Sequence, residues 1–226
     1  MTSVVISMCD RTGNMVRPWA NAGWECWCVD LQHSIRTPRV VQIGAGLIRY
    51  VWGDARSWYP PSHVRPGILF AFPPCTHLAV SGARDFTMKA GWMLADALQV
   101  FDSCQAAAVW AGCPYMIENP VGRLSSHRRK PDYIFHPWEY AGYLSDQELE
   151  NTTKKTCLWT GGGFVMPAKK PAAGLHRHDC HMASPGDDRG DIRSVTPMGF
   201  AEAVFAANHN IRAFDLRRAS AEVIST

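Results

Sequence analysis

No apolar run in this sequence approaches the roughly 18 to 20 residues that a membrane-spanning helix requires. The opening MTSVVISMCDRTG also lacks a signal-peptide layout. The eight cysteines (9, 26, 28, 75, 104, 113, 157 and 180) form no paired CxxC spacing. Scattered through apolar surroundings, they read as free thiols of a reducing compartment and exclude a disulfide frame. A strong charge of either sign is also missing. A formal charge of +3 and a pI near 8.4 permit an anionic partner without demanding one. Internal repeats and low-complexity tracts are absent. What remains is 226 residues, 46% of them hydrophobic, enough for one sizeable core. The expectation is a soluble, cytoplasmic chain with a single domain over 1–226 and no metal.

Short apolar runs recur at SVVISM (3–8), CWCVDL (26–31), LIRYVWGD (47–54), GILFAF (67–72) and PYMIEN (114–119). Bounded by Gly, Pro and Asp and separated by helix-length segments, they predict buried strands of a mostly parallel sheet. The first gap, NMVRPWANAGW, has Met15, Trp19 and Ala22 at helical spacing and stops at Gly23. The gap from about 87 to 112, with Met88, Leu94, Leu98, Phe101, Ala108 and Val109, predicts a long helix. Such alternation predicts a doubly wound α/β sheet of Rossmann-like type. Beyond Asn119, HRRKPDYIFHPWEY is aromatic and basic and KKTCLWTG suggests one more strand. PAKKPAAGLHRHDCHMASPGDDRGD reads as surface loop. TPMGFAEAVFAANHNI predicts a last helix with Thr196 as N-cap and Pro197 at the first helical position.

In such a sheet, ligands bind outside the carboxyl ends of the strands. The residues collected there are CDRTGNM, Asp30, Gly53-Asp54, Pro73-Pro74-Cys75 and Glu118-Asn119-Pro120. A glycine turn after the first strand and an acid ending the second suit a nucleoside cofactor, whose ribose hydroxyls the carboxylate can take. An acid ending the third can accept from an adenine amino group. Trp24 and Trp27 either flank that adenine or belong to the core. Most of the cysteines read as small buried hydrophobes. Cys75 differs, because two prolines rigidify the chain where a strand yields to a loop.

The RTGNM turn, Asp30, GDAR (53–56), FPPC (72–75), IENP (117–120) and TPMGFAEAVFAAN (196–208) together resemble the DNA cytosine-5 methyltransferases. PPC and ENP, in that order on those strands, are the specific pair. The resemblance covers most of the chain and thins between Gly161 and Asp191. It implies the class I S-adenosylmethionine-dependent methyltransferase fold. Asp10, Arg11, Thr12, Gly13, Asn14, Asp30, Leu31, Asp54, Ala55 and Pro73 would hold S-adenosylmethionine. The Cys75 thiolate would add to carbon-6 of a cytosine flipped out of duplex DNA, with Glu118 at N3, Asn119 and Pro74 fixing the loop, and Lys155 facing base and phosphate. The loop THLAVSGARDF (76–86) would close over the base, its Ser81 and Arg84 on phosphates.

The sequence departs from the family in three places. Arg11 stands where the cofactor turn normally has its first glycine, leaving only Gly13. An arginine there can pair with the methionine carboxylate or accommodate a modified one-carbon donor. KKT replaces an arginine-centred motif, so Lys155 is either its substitute or half of a solvated lysine pair. Only residues 160–192 stand in place of a target-recognition domain, which predicts a short or relaxed context read by Arg177, His178 and Arg189. Each good base contact is worth roughly 1 to 3 kcal/mol. Arg128, Arg129, Lys130, Lys169 and Lys170 would supply phosphate contacts. HRHDCH packs four potential ligands into one short run, unlike the two separated pairs of a closed zinc site, and is expected to hold none. A monomer suited to a virus or mobile element modifying its own DNA fits this compactness. RNA, free deoxycytidine nucleotide and a catalytically silent binding protein are the rival readings.

Overall fold

The computed structural model describes residues 3–80, 90–177 and 195–210. Eight strands form one sheet: β1 (Val4–Met8), β2 (Glu25–Asp30), β3 (Arg39–Ile43), β4 (Gly46–Trp52), β5 (Pro66–Ala71), β6 (Tyr115–Pro120), β7 (Tyr133–Phe135) and β8 (Thr156–Gly161). Their order across the sheet is β3-β4-β2-β1-β5-β6-β8-β7. The five strands expected from the apolar runs are the parallel centre, and β8 is the KKTCLWTG strand running antiparallel to β6. The chain works outward from β1 to β2 and β4, then returns to β5 and moves outward on the other side. This reversal leaves the carboxyl ends of β1, β2, β4, β5 and β6 on one rim, with a crevice between β1 and β5. The architecture is a Rossmann-like α/β fold, a mostly parallel sheet with helices on both faces.

Side chains alternate across each strand and build two cores. On one face α1 (Arg17–Asn21) and α4 (Met198–Asn208) cover Val5, Cys26, Ile48, Phe70, Met116 and Leu158. Trp19 is fully buried there, edge-on to Trp24 at 4.9 Å and Phe205 at 5.2 Å. On the other face α2 (Gly91–Ala111) lays Leu98, Phe101, Cys104 and Ala108 over Ile6, Met8, Leu69 and Ile117. It ends at Gly112 in the left-handed conformation, as a C-terminal glycine allows. A short α3 (Leu124–His127) follows β6.

Three elements differ from the sequence expectation. The segment between β2 and β4 holds no helix but the hairpin strand β3, turned back through Gly44 at φ 55°. β7 is a three-residue edge strand, too short to leave a periodic pattern. The N-cap of α4 is Pro197, not Thr196, and no side chain of the cap residue bonds the helix. Glu150 serves instead, its carboxylate accepting from the amides of Met198 and Gly199. Half-buried, that carboxyl has its pKa pushed upward by desolvation, while the two amides pull it back.

Candidate active site

β5 is buried along its whole length and its ladder continues to the Phe72 amide, which donates to Met8 O at 2.9 Å. Pro73 and Pro74 have no amide to donate, so pairing stops there. The next residue, Cys75, opens a helical turn: its carbonyl accepts from the amides of Leu78 and Ala79, both at 2.9 Å. The turn is clamped against the chain after β6. Arg123 N donates to Leu78 O at 2.8 Å, and Ala79 bridges Gly122, where a Cβ would sit 2.0 Å from Leu78 O. Cys75 is half-buried, whereas Cys26, Cys28, Cys104, Cys113 and Cys157 are buried. Burial raises the thiol of Cys113 to about 12 and that of Cys157 to about 11, which leaves them inert. Cys9, half-buried, hydrogen-bonds Cys104, and that bond followed by desolvation raises its pKa.

Glu118 lies in the carboxyl half of β6, the strand adjoining β5. Its Oε1 is buried and has no hydrogen-bond partner. Desolvation raises its pKa, and Lys154 opposes the rise. Asn119, next along, points to the other face and donates from Nδ2 to Pro73 O at 2.7 Å, while its Oδ1 is also buried without a partner. The His77 ring lies in the same turn as Cys75, its Nδ1 likewise buried and unpartnered. Each unpartnered buried acceptor costs about 1–3 kcal/mol, unless a ligand supplies the missing donor.

The lysine that acts on Glu118 is Lys154, the neighbour of the expected Lys155. Leu158 pairs with Glu118, and Lys154, two residues before β8, is close enough to hold the Glu118 pKa down. Lys155 is exposed and acts instead on Cys157 and His136.

The turn after β1 is organised from within. Asp10 is buried; its Oδ1 accepts from Gly13 N (2.7 Å), Thr12 N (3.0 Å) and Thr12 Oγ1 (3.2 Å), and its Oδ2 from Ser7 Oγ (2.7 Å). Its carboxylate is therefore taken up by the turn, a correction to its expected role as a cofactor contact. Desolvation nevertheless raises its pKa against those four bonds. Gly13 needs its glycine: φ is 74°, and a Cβ would lie 2.8 Å from the Tyr50 hydroxyl. That hydroxyl donates to Thr12 O at 3.2 Å, and the His33 ring contacts Asp10 O at 3.1 Å. Arg11 and Thr12 are exposed and Asn14 half-buried at this turn.

Asp30 closes β2 with Oδ1 accepting from Gln32 N at 2.7 Å, and beside it Leu31 is 53% exposed. An acid next to an exposed apolar side chain at the rim is a donor set that fits a nucleoside. Asp54 is committed elsewhere: Arg56 grips both its oxygens, from 2.6 to 3.0 Å, and reaches Asp96 on α2 at 2.6 Å. This pairing lowers the Asp54 pKa and competes with the expected adenine contact, and Ala55 beside it packs on the α2 core. Trp24 belongs to the core at the amino end of β2, away from the rim. Trp27 sits mid-strand, 6.5 Å from Trp58.

The expected phosphate contacts divide. Arg128 pairs with Asp102 halfway along α2, and Arg129 with Asp132 beside Thr160, the residue opposite Met116. Both lie below the rim, with the guanidinium groups expected to meet phosphates already held by carboxylates. Lys169 pairs with Glu139 at 2.6 Å and Lys170 stands over the Tyr143 ring at 4.2 Å. Arg177, exposed, donates to Glu148 O at 2.6 Å near the start of β8. Ser81, Arg84, His178 and Arg189, with most of HRHDCH, lie outside the described residues. Sequence reasoning missed Lys154, His77 and Arg56.

No family model matches the chain, and no curated protein matches it in sequence. Among solved structures it is similar to a protein named as a DNA modification methyltransferase encoded within a prophage of E. coli, at 14% identity and a TM-score of 0.46. The match covers 71% of this chain and spans 46% of that one.

Proposed function

We propose that the protein is a DNA cytosine-5 methyltransferase. One observation carries the reading: a half-buried thiol, Cys75, on a proline-fixed turn, adjoins a strand end where Glu118 Oε1 is buried without a partner. Carbon-5 of cytosine is a weak nucleophile. Adding a thiolate at carbon-6 turns the ring into an enamine, and cysteine both attacks near neutral pH and leaves afterwards. The neutral carboxyl of Glu118, favoured by its raised pKa, holds a proton at N3 as the Cys75 Sγ–C6 bond forms. Asn119 keeps the Cys75 turn in register by gripping Pro73 O. S-adenosylmethionine, when bound, supplies an electrophilic methyl group to carbon-5. Asp30, Leu31 and the Gly13 turn would hold its nucleoside and methionine parts. Loss of the carbon-5 proton to water then breaks the Cys75–C6 bond and frees the thiolate. A cysteine at this depth cannot reach a stacked base, so the cytosine is flipped.

The test is transfer from labelled S-adenosylmethionine to duplex DNA, single-stranded DNA, tRNA and dCMP, followed by digestion and detection of 5-methylcytosine. Label in DNA that vanishes in Cys75→Ser is expected. Label only in tRNA or dCMP overturns the DNA assignment, and no label with any acceptor overturns the activity. DNA carrying 5-fluorocytosine should trap Cys75 covalently, since fluorine blocks the final proton loss.

A further inference from the structure

Two strands over from Glu118, at the rim end of β7 and β8, three rings stack. Trp138 and His176 lie 4.0 Å apart and 9° from parallel, and His136 continues the stack at 6.4 Å and 26°. The rings come from two segments held rigidly together. Trp138 N donates to Thr152 O, Ala172 N to Trp138 O, and Arg177 N to Asn151 O. His176 Nδ1 lies 2.7 Å from Asn151 Oδ1. All three rings are half-buried, Leu175 beside them is 96% exposed, and His136 Nδ1 is buried without a partner. Lys155 and Lys169 are close enough to act on His136, with Glu139 occupied by Lys169. Phe135, just before the stack, pairs with Thr156, which pairs with Pro120 at the end of the Glu118 strand. At about 4.8 Å per strand, the stack begins roughly 10 Å from Pro120, two residues beyond Glu118.

We infer that the His136–Trp138–His176 stack, with Lys154 and Lys155 between it and Glu118, is a platform for unstacked bases of single-stranded DNA. Its link to the reacting cytosine rests on the proposed function. The outer faces of a ring stack hold bases of any sequence, and lysines beside them track the backbone. Intact duplex offers no such faces, because its bases are already stacked. The strand therefore engages here only where it is open, next to the base in the Glu118 pocket.

Fluorescence anisotropy of the full chain with labelled dT12 and a 12-base-pair duplex tests the platform, without cytosine or methyl donor in the single-strand probe. dT12 should bind the more tightly, Trp138→Ala should weaken it about fivefold or more, and Trp138→Phe should keep most of the affinity. Preference for duplex, or unchanged dT12 affinity in a folded Trp138→Ala, overturns the proposal. Should Trp138→Ala not fold, tryptophan quenching by dT12 decides, since quenching undiminished in Trp138→Phe also overturns it. Tight dT12 binding with no methyl transfer to any cytosine leaves the platform standing and sinks the cytosine chemistry. Transfer with no dT12 binding does the reverse.

Discussion

At the scale of single residues, a titratable acid and a half-buried thiol stand on adjoining strand ends. Glu118 is the residue whose environment makes the sharpest forecast. Because burial raises its folded-state pKa, the charged form is the costly one. Below the unfolded carboxyl pKa both states are protonated and nothing is lost. As pH rises through the raised folded value, wild-type protein loses stability. Glu118→Gln should therefore raise the melting temperature at pH 8, with the gain disappearing near pH 4. Under the proposed function, the same variant should lower kcat by about 100-fold or more, since the amide would not supply the N3 proton. A variant equally stabilised at both pH values would refute the buried-acid reading. Asn119→Ala tests the neighbouring link. Losing the 2.7 Å bond to Pro73 O should lower kcat and leave S-adenosylmethionine affinity within about twofold, because the thiol turn loosens while the Asp30 end stays intact.

At the scale of elements, α4 depends on a cap borrowed from 48 residues upstream in the chain. Glu150→Ala removes the acceptor for the Met198 and Gly199 amides and should cost about 1–2 kcal/mol, read by urea denaturation. Thr196→Ala, aimed at the cap expected from sequence, should cost less, since the N-cap is Pro197 and Thr196 lies one residue before it. That contrast explains how far the sequence can be read. Strands β1, β2, β4, β5, β6 and β8 were legible because each is a short apolar run ended by a turn residue. The order of PPC and ENP placed Cys75 and Glu118 on one rim. β3 was not legible, because its Arg39–Ile43 alternation is half exposed and belongs to an edge. Glu150, Arg56 and Lys154 act across long sequence separations, and no local pattern announces which amide, acid or pocket they meet. Asp10 looked like a rim acid by position, yet the four donors around it turn its carboxylate inward.

At the scale of the whole molecule, charge is distributed unevenly along the strand direction, and this decides which cations meet a polyanion. β6 is six residues long, so its two ends are separated by about 16 Å. Lys154 and Lys155 stand at the Glu118 end, whereas Arg129 and Asp132 are anchored by Thr160 toward the other. A separation larger than the Debye length of about 8 Å at physiological salt screens the lower arginines from a strand lying on the rim. Arg128 and Arg129 are moreover neutralised by bidentate partners, Asp102 and Asp132. The double change Arg128→Ala, Arg129→Ala should therefore leave the slope of log affinity against log salt unchanged for DNA. It should cost at most about 1 kcal/mol of stability per lost surface pair. Lys155→Ala, by contrast, should reduce that slope by about 0.7 for a single strand, the signature of one phosphate contact. Affinity for a 12-mer measured from 50 to 300 mM salt separates the two. A reduced slope in the arginine pair with none in Lys155→Ala would place the bound strand along the lower edge of β6 and β8 instead of the rim.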